Sequence, residues 1–461
     1  MVLKKSLILL MLSLSSTSVY LHATDVNHLN NLSLEEALEL MKRDNLELKI
    51  SKFNEQMKAQ EAKVAQGYNY GKLDIKLQAL RSNDAGNIFG FKLKSREATF
   101  GDFGFAEFDM SGQTNPLPVQ PTELNYPDAR NHFQTTLTYA VPLYTGGKLD
   151  QYGKITKALE KMSKLDSSKL LNEKVFQTTK TFYDISLVNQ YIDNLGNIVS
   201  NINQLENIVA SMKEEGFAKE IDQLEVQAKK AEVESMLSQA NYNKELAYQY
   251  ISFLLNQKVD SIQAINSLAV IPSIVKEEIQ EDNLDIQKAK LGLKITDMAI
   301  KVEESNFLPT LGAFGEYGSS DNNPFNEFTH KDFYTVGLQL DWNLFNGNID
   351  KHNLEKSKVE NMKVREQVEL AKKGICLQVR KLVTEVKSKD AEITNLETQF
   401  NFASKVYENY QERYREGITS ISDVIIKQSK ELEVLLKLLT VKNDRNAKVF
   451  ELTSIINKGE I

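Results

Sequence analysis

Glu416-Gly417-Ile418-Thr419-Ser420-Ile421-Ser422-Asp423 has an earlier echo in Glu215-Gly216-Phe217-Ala218-Lys219-Glu220-Ile221-Asp222. In both, Glu-Gly is followed six residues after the glycine by Asp, and the two Asp stand 201 positions apart. Long helical patterns flank each stretch. Glycine suits the left-handed position that ends an incoming helix, and a carboxylate in the first turn of the outgoing helix meets the positive end of its dipole. Each stretch therefore reads as the tip of a helical hairpin. Two equivalent tips imply two equivalent halves.

Outward from the first tip, no proline occurs between Leu143 and Ile271, so residues 148–215 can form one helix. At 1.5 Å per residue it is on the order of 100 Å long. Leu195, Ile198, Val199, Ile202, Leu205, Ile208, Val209 and Met212 form the apolar stripe of a coiled-coil partner. A return helix is expected over 221–256, then a linker over 261–282. The second half repeats this with a long helix over 348–416 and a return helix over 422–457.

Ahead of each long helix the apolar period changes from helical to alternating, the mark of a strand with one apolar and one polar face. Strands are expected over 73–81, 132–143, 310–318 and 334–344. In the last, Tyr334, Val336, Leu338, Leu340, Trp342 and Leu344 share one face. In the second, Phe133, Leu137, Tyr139, Val141 and Leu143 do so, opposite Gln134, Thr136 and Thr138. Ser33, with Glu36 three residues on, opens a helix whose spacing continues to about Gln66. Residues 82–131 show no clear period and hold four of the eight prolines, so they read as a long loop. Asn283-Leu284-Asp285-Ile286 echoes Asn45-Leu46-Glu47-Leu48 at an offset of 238, and the fall from 238 to 201 places the surplus of the first repeat (24–260) over the second (283–461) in that loop.

Met1 to Ala23 reads as a secretory signal, with Lys4 and Lys5 ahead of an apolar run too short to span a bilayer as a helix. Losing those two lysines moves the formal charge from −7 to −9, which argues against a nucleic-acid partner. The single cysteine, Cys376, excludes an internal disulfide and reads as a buried small hydrophobe. The histidines lack metal-ligand spacing, no phosphate loop occurs and no catalytic constellation appears, so no cofactor, metal or enzymatic activity is expected.

Strands of about nine to twelve residues with one apolar face suit a bacterial outer-membrane β-barrel. Four strands cannot close a barrel, and open sheet edges in lipid leave backbone groups without partners. A ring of copies is therefore required.

At this point the chain resembles the TolC-like outer-membrane efflux proteins. The resemblance rests on the doubled organisation and both Gly-to-Asp tips, on Val141-Pro142-Leu143-Tyr144-Thr145-Gly146-Gly147 and Trp342-Asn343-Leu344-Phe345-Asn346-Gly347, and on Phe307-Leu308-Pro309-Thr310-Leu311. It implies a homotrimer in outer-membrane lipid: a twelve-stranded β-barrel, four strands per chain, continuous with a periplasmic α-helical coiled-coil barrel. It also implies a periplasmic adaptor (membrane fusion protein) docking at Gly216, Phe217, Gly417 and Ile418, and an inner-membrane pump of RND or ABC type. The exit duct would serve tripartite efflux or type I secretion. Asp222, Tyr414 and Asp423 match gate positions of the family, whereas Thr419 and Ile426 replace an Arg and an Asp of its best-known member. Tyr139, Tyr334 and Trp342 are expected at the membrane interfaces. Phe89-Gly90-Phe91-Lys92-Leu93 and Asn125-Tyr126-Pro127-Asp128 mark an enlarged first external loop. Two other classes stay open: a coiled-coil surface adhesin or stalk without channel activity, and a periplasmic hydrolase.

Overall fold

The computed structural model describes residues 28–113, 115, 117–273, 282–323 and 330–456. The signal segment, part of the 261–282 linker and residue 457 of the second return helix lie outside the described residues. Packing gathers the chain into two compact units, each drawn from both halves of the sequence. One comprises Met1–Asn45, Lys174–Ala269 and Lys389–Ala447; the other comprises Leu46–Glu173, Val270–Ser388 and Lys448–Ile461.

The first unit is helical. Helix α1 (Leu34–Asp44) opens on a capping box in which Glu36 accepts the Ser33 amide at 3.0 Å and Ser33 Oγ accepts the Glu36 amide at 3.3 Å. The helical spacing predicted through Gln66 is interrupted at Asn45, where ψ is 125°, and α2 (Leu46–Gly67) starts afresh. The break has a long-range cause: the Asn45 side-chain Nδ2 donates to the Leu254 carbonyl at 2.9 Å, satisfying a free carbonyl in the last turn of α6 (Glu220–Leu255). Just before α1, Leu29 and Leu32 make parallel bridges to Val259 and Ile262. The body of this unit comes from α5 (Lys148–Glu214), α6, α8 (Ile349–Arg415) and α9 (Ile421–Ile456). Leu195, Ile202, Leu205 and Val209 of the predicted stripe are buried with Val226 and Val233 of α6, and with Val424 and Leu432 of α9.

The second unit holds a four-stranded antiparallel meander: β1 (Lys72–Ser82), β2 (Arg130–Tyr144), β3 (Thr310–Asp321) and β4 (Asp332–Asp341), in that order. Its register aligns Ile75, Leu137, Tyr317 and Tyr334 in one lateral row, and Leu73, Tyr139, Gly315 and Val336 in the next. Those rows make one continuous apolar face, and Ile75, Leu77, Val336 and Leu338 on it are all exposed. The other face carries Lys76, Gln134, Thr136, Thr138 and Glu316, with Phe314 over Gly337 and Phe333 over Gly318. A side chain in place of either glycine would collide with the ring that covers it. Strands β1 and β4 each pair on one side only.

Three sequence expectations are corrected in this unit. Leu143 does not continue the alternation, because a bulge between Pro142 and Tyr144 places Tyr144 opposite Leu311; one extra residue flips every later side chain. Strand β4 ends at Asp341, so Trp342 and Leu344 lie beyond it. The 82–131 stretch is not simply loop: it contains α3 (Ala85–Lys94), capped by Asp84 Oδ1 accepting the Asn87 amide at 2.9 Å, and a short turn α4 (Thr122–Asn125). Cys376 is only half-buried in the chain. Helix α7 (Leu284–Ser305) precedes β3, and its cap residue Asn283 donates to the Ile455 carbonyl at 3.0 Å.

Candidate functional site

Both hairpin tips close in the same way. The Phe217 amide donates to Met212 at 2.7 Å and the Gly216 amide to Lys213 at 3.1 Å; the Ile418 amide donates to Arg413 and the Gly417 amide to Tyr414, each at 2.9 Å. These paired bonds satisfy the last carbonyls of α5 and α8 in a Schellman motif, which needs a left-handed residue. Gly216 and Gly417 take it, with φ of 81° and 71°.

The outgoing helices are capped by their acidic residues. Asp222 Oδ2 accepts the Lys219 amide at 2.7 Å, which explains its place at the start of α6. At the second tip Asp423 Oδ2 accepts from the hydroxyls of Ser420 at 2.7 Å and Thr419 at 3.1 Å. Those bonds hold the Asp423 carboxyl below its ordinary range. Thr419 is thus a capping partner of the second tip. Phe217 and Ile418, the first residue past each glycine, are exposed.

Beneath the tips, Tyr414 is buried in the core that joins α5, α6, α8 and α9. Burial, and secondarily the Asp222 charge, push its hydroxyl above the ordinary tyrosine value. The fold therefore brings Tyr414 and Asp222 within electrostatic reach, while Asp423 is engaged at its own helix cap. The two hairpins are also tied directly, by Ser422 Oγ donating to Glu225 at 2.7 Å.

The sequence reading passed over a polar layer deeper in the same core. Gln428 donates to the Tyr407 hydroxyl at 3.2 Å. Burial and the Glu431 charge raise that hydroxyl to about 12. Burial likewise pushes the Glu431 carboxyl up, opposed by a hydrogen bond from Ser404 and reinforced by Glu408. Tyr410 carries Arg413 and Lys427 at 5.5 and 5.0 Å from its ring centre. The spacing of Tyr407, Tyr410 and Tyr414 at i, i+3 and i+7 was the available signal.

In the sheet unit, the three aromatics proposed for membrane interfaces occupy distinct settings. The Tyr139 hydroxyl donates to the Tyr70 carbonyl at 2.8 Å, and the Trp342 indole to the Phe307 carbonyl at 3.1 Å. Tyr334 sits in β4 opposite Tyr317. Among the described residues, no helix is long and apolar enough to cross a membrane.

Residues 275–458 match the outer membrane efflux protein family. The chain has the fold of TolC-like outer-membrane channels. It superposes on the outer membrane channel CmeC of Campylobacter jejuni with a TM-score of 0.77 and 16% identity, covering 92% of this chain and 86% of that one. CusC gives a TM-score of 0.76 at 12% identity, covering 92% of each chain. The open-state MtrE channel of Neisseria gonorrhoeae gives 0.73 at 12% identity, covering 92% and 88%. No curated protein matches the sequence. The family match over residues 275–458 and the fold of these channels agree with the resemblance carried by the sequence motifs.

Proposed function

We propose that three copies of this chain close a twelve-stranded barrel and form the passive exit duct of a tripartite efflux or type I secretion system. The observation that carries this reading is the sheet: an exposed apolar face runs across all four strands, and both outer strands have open edges. In lipid the apolar face is satisfied, but the edges are not until neighbouring copies pair with them. Twelve strands lie between barrels filled by side chains and wide aqueous porins. The doubled build supports the same reading: α5 and α8 each have 67 residues, and α6 and α9 each have 36. Asn45 and Asn283 also hold equivalent carbonyls of the two return helices.

In this reading Gly216, Phe217, Gly417 and Ile418 present the surface on which a periplasmic adaptor docks, with an inner-membrane pump of RND or ABC type supplying the energy. Asp222 and Tyr414 form the resting periplasmic gate, and Asp423 shapes the second tip beside it. Tyr139, Tyr334 and Trp342 anchor the sheet at the lipid interfaces. The chain itself performs no chemistry. Mass measurement in detergent and planar-bilayer recording test the reading together: three chains and ion conductance are expected. A stable monomer defeats the barrel, and a trimer that never conducts favours a stalk.

A further inference from the structure

Strands β1 and β2 pair up to Ser82 and Arg130, so the segment between them begins and ends at one end of the sheet. The adjoining helices α2, α5, α7 and α8 connect at the other end. The segment does not stand away from the strands. Ile88 and Phe91 of α3 are buried, and the Phe91 ring stacks on His132 with centroids 4.1 Å apart and planes 3° from parallel. His132 belongs to the polar face: its Nε2 lies 3.3 Å from Gln134 Oε1, and Gln134 in turn donates to Thr136 at 3.0 Å. Helix α3 therefore lies over the polar face of the sheet, the side opposite the lipid-compatible one.

An ionic clasp fixes it there. Glu97, just past α3, bridges Arg130 of β2 and Lys331, the residue before β4. Lys331 also pairs with Asp321 of β3 at 2.9 Å, and both are almost fully buried. The Arg96 guanidinium donates to the Asp332 carbonyl. Buried charges satisfied on several sides are costly to separate, so the clasp holds the segment against three strands.

Resting on the barrel reading, we infer that the segment between β1 and β2, through its described residues 84–113 and 117–129, forms a lumenal plug at the barrel's outer mouth, one from each copy. A barrel that turns its apolar face to lipid turns its polar face, and whatever covers that face, inward. Phe100, Phe105 and Tyr126, which are 81%, 60% and 83% exposed, are then met by the same segments of the neighbouring copies around the axis. Such a surface restricts passage of large hydrated solutes and offers aromatic contact to amphiphilic ones.

The test replaces residues 83–129 with Asn-Gly, the two-residue turn that suits paired antiparallel strands, in a background whose periplasmic gate is opened by Tyr414→Phe and Asp222→Ala. Single-channel conductance in planar bilayers should rise several-fold over the same background with the segment intact. Equal conductance overturns the plug. Silence from every preparation instead overturns the channel reading and the plug with it. Glu97→Gln keeps the full chain but weakens the clasp, and should give intermittent openings to the higher level; steady wild-type conductance counts against the inference. Phe105→Cys in a Cys376→Ala background should oxidise to covalent dimers between copies. Monomers alone would show that the segments do not meet.

Discussion

Replacing Gly417 by Ala and, separately, by Asn isolates the backbone conformation on which the second tip depends. Its φ is 71°, and an added Cβ would find no heavy atom within 4 Å. The cost of a side chain here is therefore conformational rather than steric. A left-handed conformation costs an ordinary L-residue about 1–2 kcal/mol, while Asn visits it far more readily. The same φ aligns the Gly417 and Ile418 amides with the Tyr414 and Arg413 carbonyls, each at 2.9 Å, so strain at Gly417 weakens both bonds. Hydrogen exchange read by mass spectrometry on peptides spanning 413–423 reports the local opening. Gly417→Ala should exchange about 5–30-fold faster than the native tip, with Gly417→Asn between the two. Gly216, with φ of 81° and equally open space, should behave alike. Identical exchange in the Ala and Asn variants would refute the argument, since only left-handed strain separates them. The β-branched Gly417→Val should assemble and insert yet fail to support export; normal export would remove the tips as the docking surface.

Glu431 gives a pH signature with a defined sign. Burial raises its carboxyl, so the folded chain binds that proton more tightly than the unfolded chain. Its stabilising contribution is full below the unfolded value of about 4.3 and is lost as pH rises through the folded value. Glu431→Gln should therefore raise the Tm near neutral pH, with the gain vanishing in acid; a gain independent of pH would contradict the burial argument. The pair Tyr414→Phe and Asp222→Ala should increase open probability in planar bilayers, since it removes the buried hydroxyl that feels the Asp222 charge and the carboxylate that caps α6. Unchanged conductance and open probability would reduce both side chains to packing. Trp342 is the sole tryptophan, so quenchers placed near the lipid headgroups should quench its fluorescence more than quenchers at the bilayer centre. Insensitivity at every depth would mislocate it.

The hairpin tips, the long and return helices, and the two-faced strands were legible because each follows from near-neighbour chemistry. A left-handed glycine, a capping carboxylate, a heptad stripe and a period of two are all local signals. Their order along the chain carries the resemblance to the TolC-like proteins, and the fold was what that resemblance implied. What the sequence left open depends on partners distant in the chain. The helix breaks at Asn45 because its side chain is held by the Leu254 carbonyl, a bond no helical pattern announces. Leu143 loses its place because β3 sets the register across a bulge. Tyr407 carries no signal of a polar partner in its own stretch of sequence; its hydroxyl finds Gln428 only because α9 packs beside α8. The stretch after Ser82 has no period because its order is borrowed: Phe91 rests on His132, and Glu97 is clasped by Arg130 and Lys331. Composition showed only a long loop rich in aromatic residues. Only pairing across the sheet determined which face it covers, because a side chain's face is fixed by strand register and the segment's position by contacts spanning more than two hundred residues.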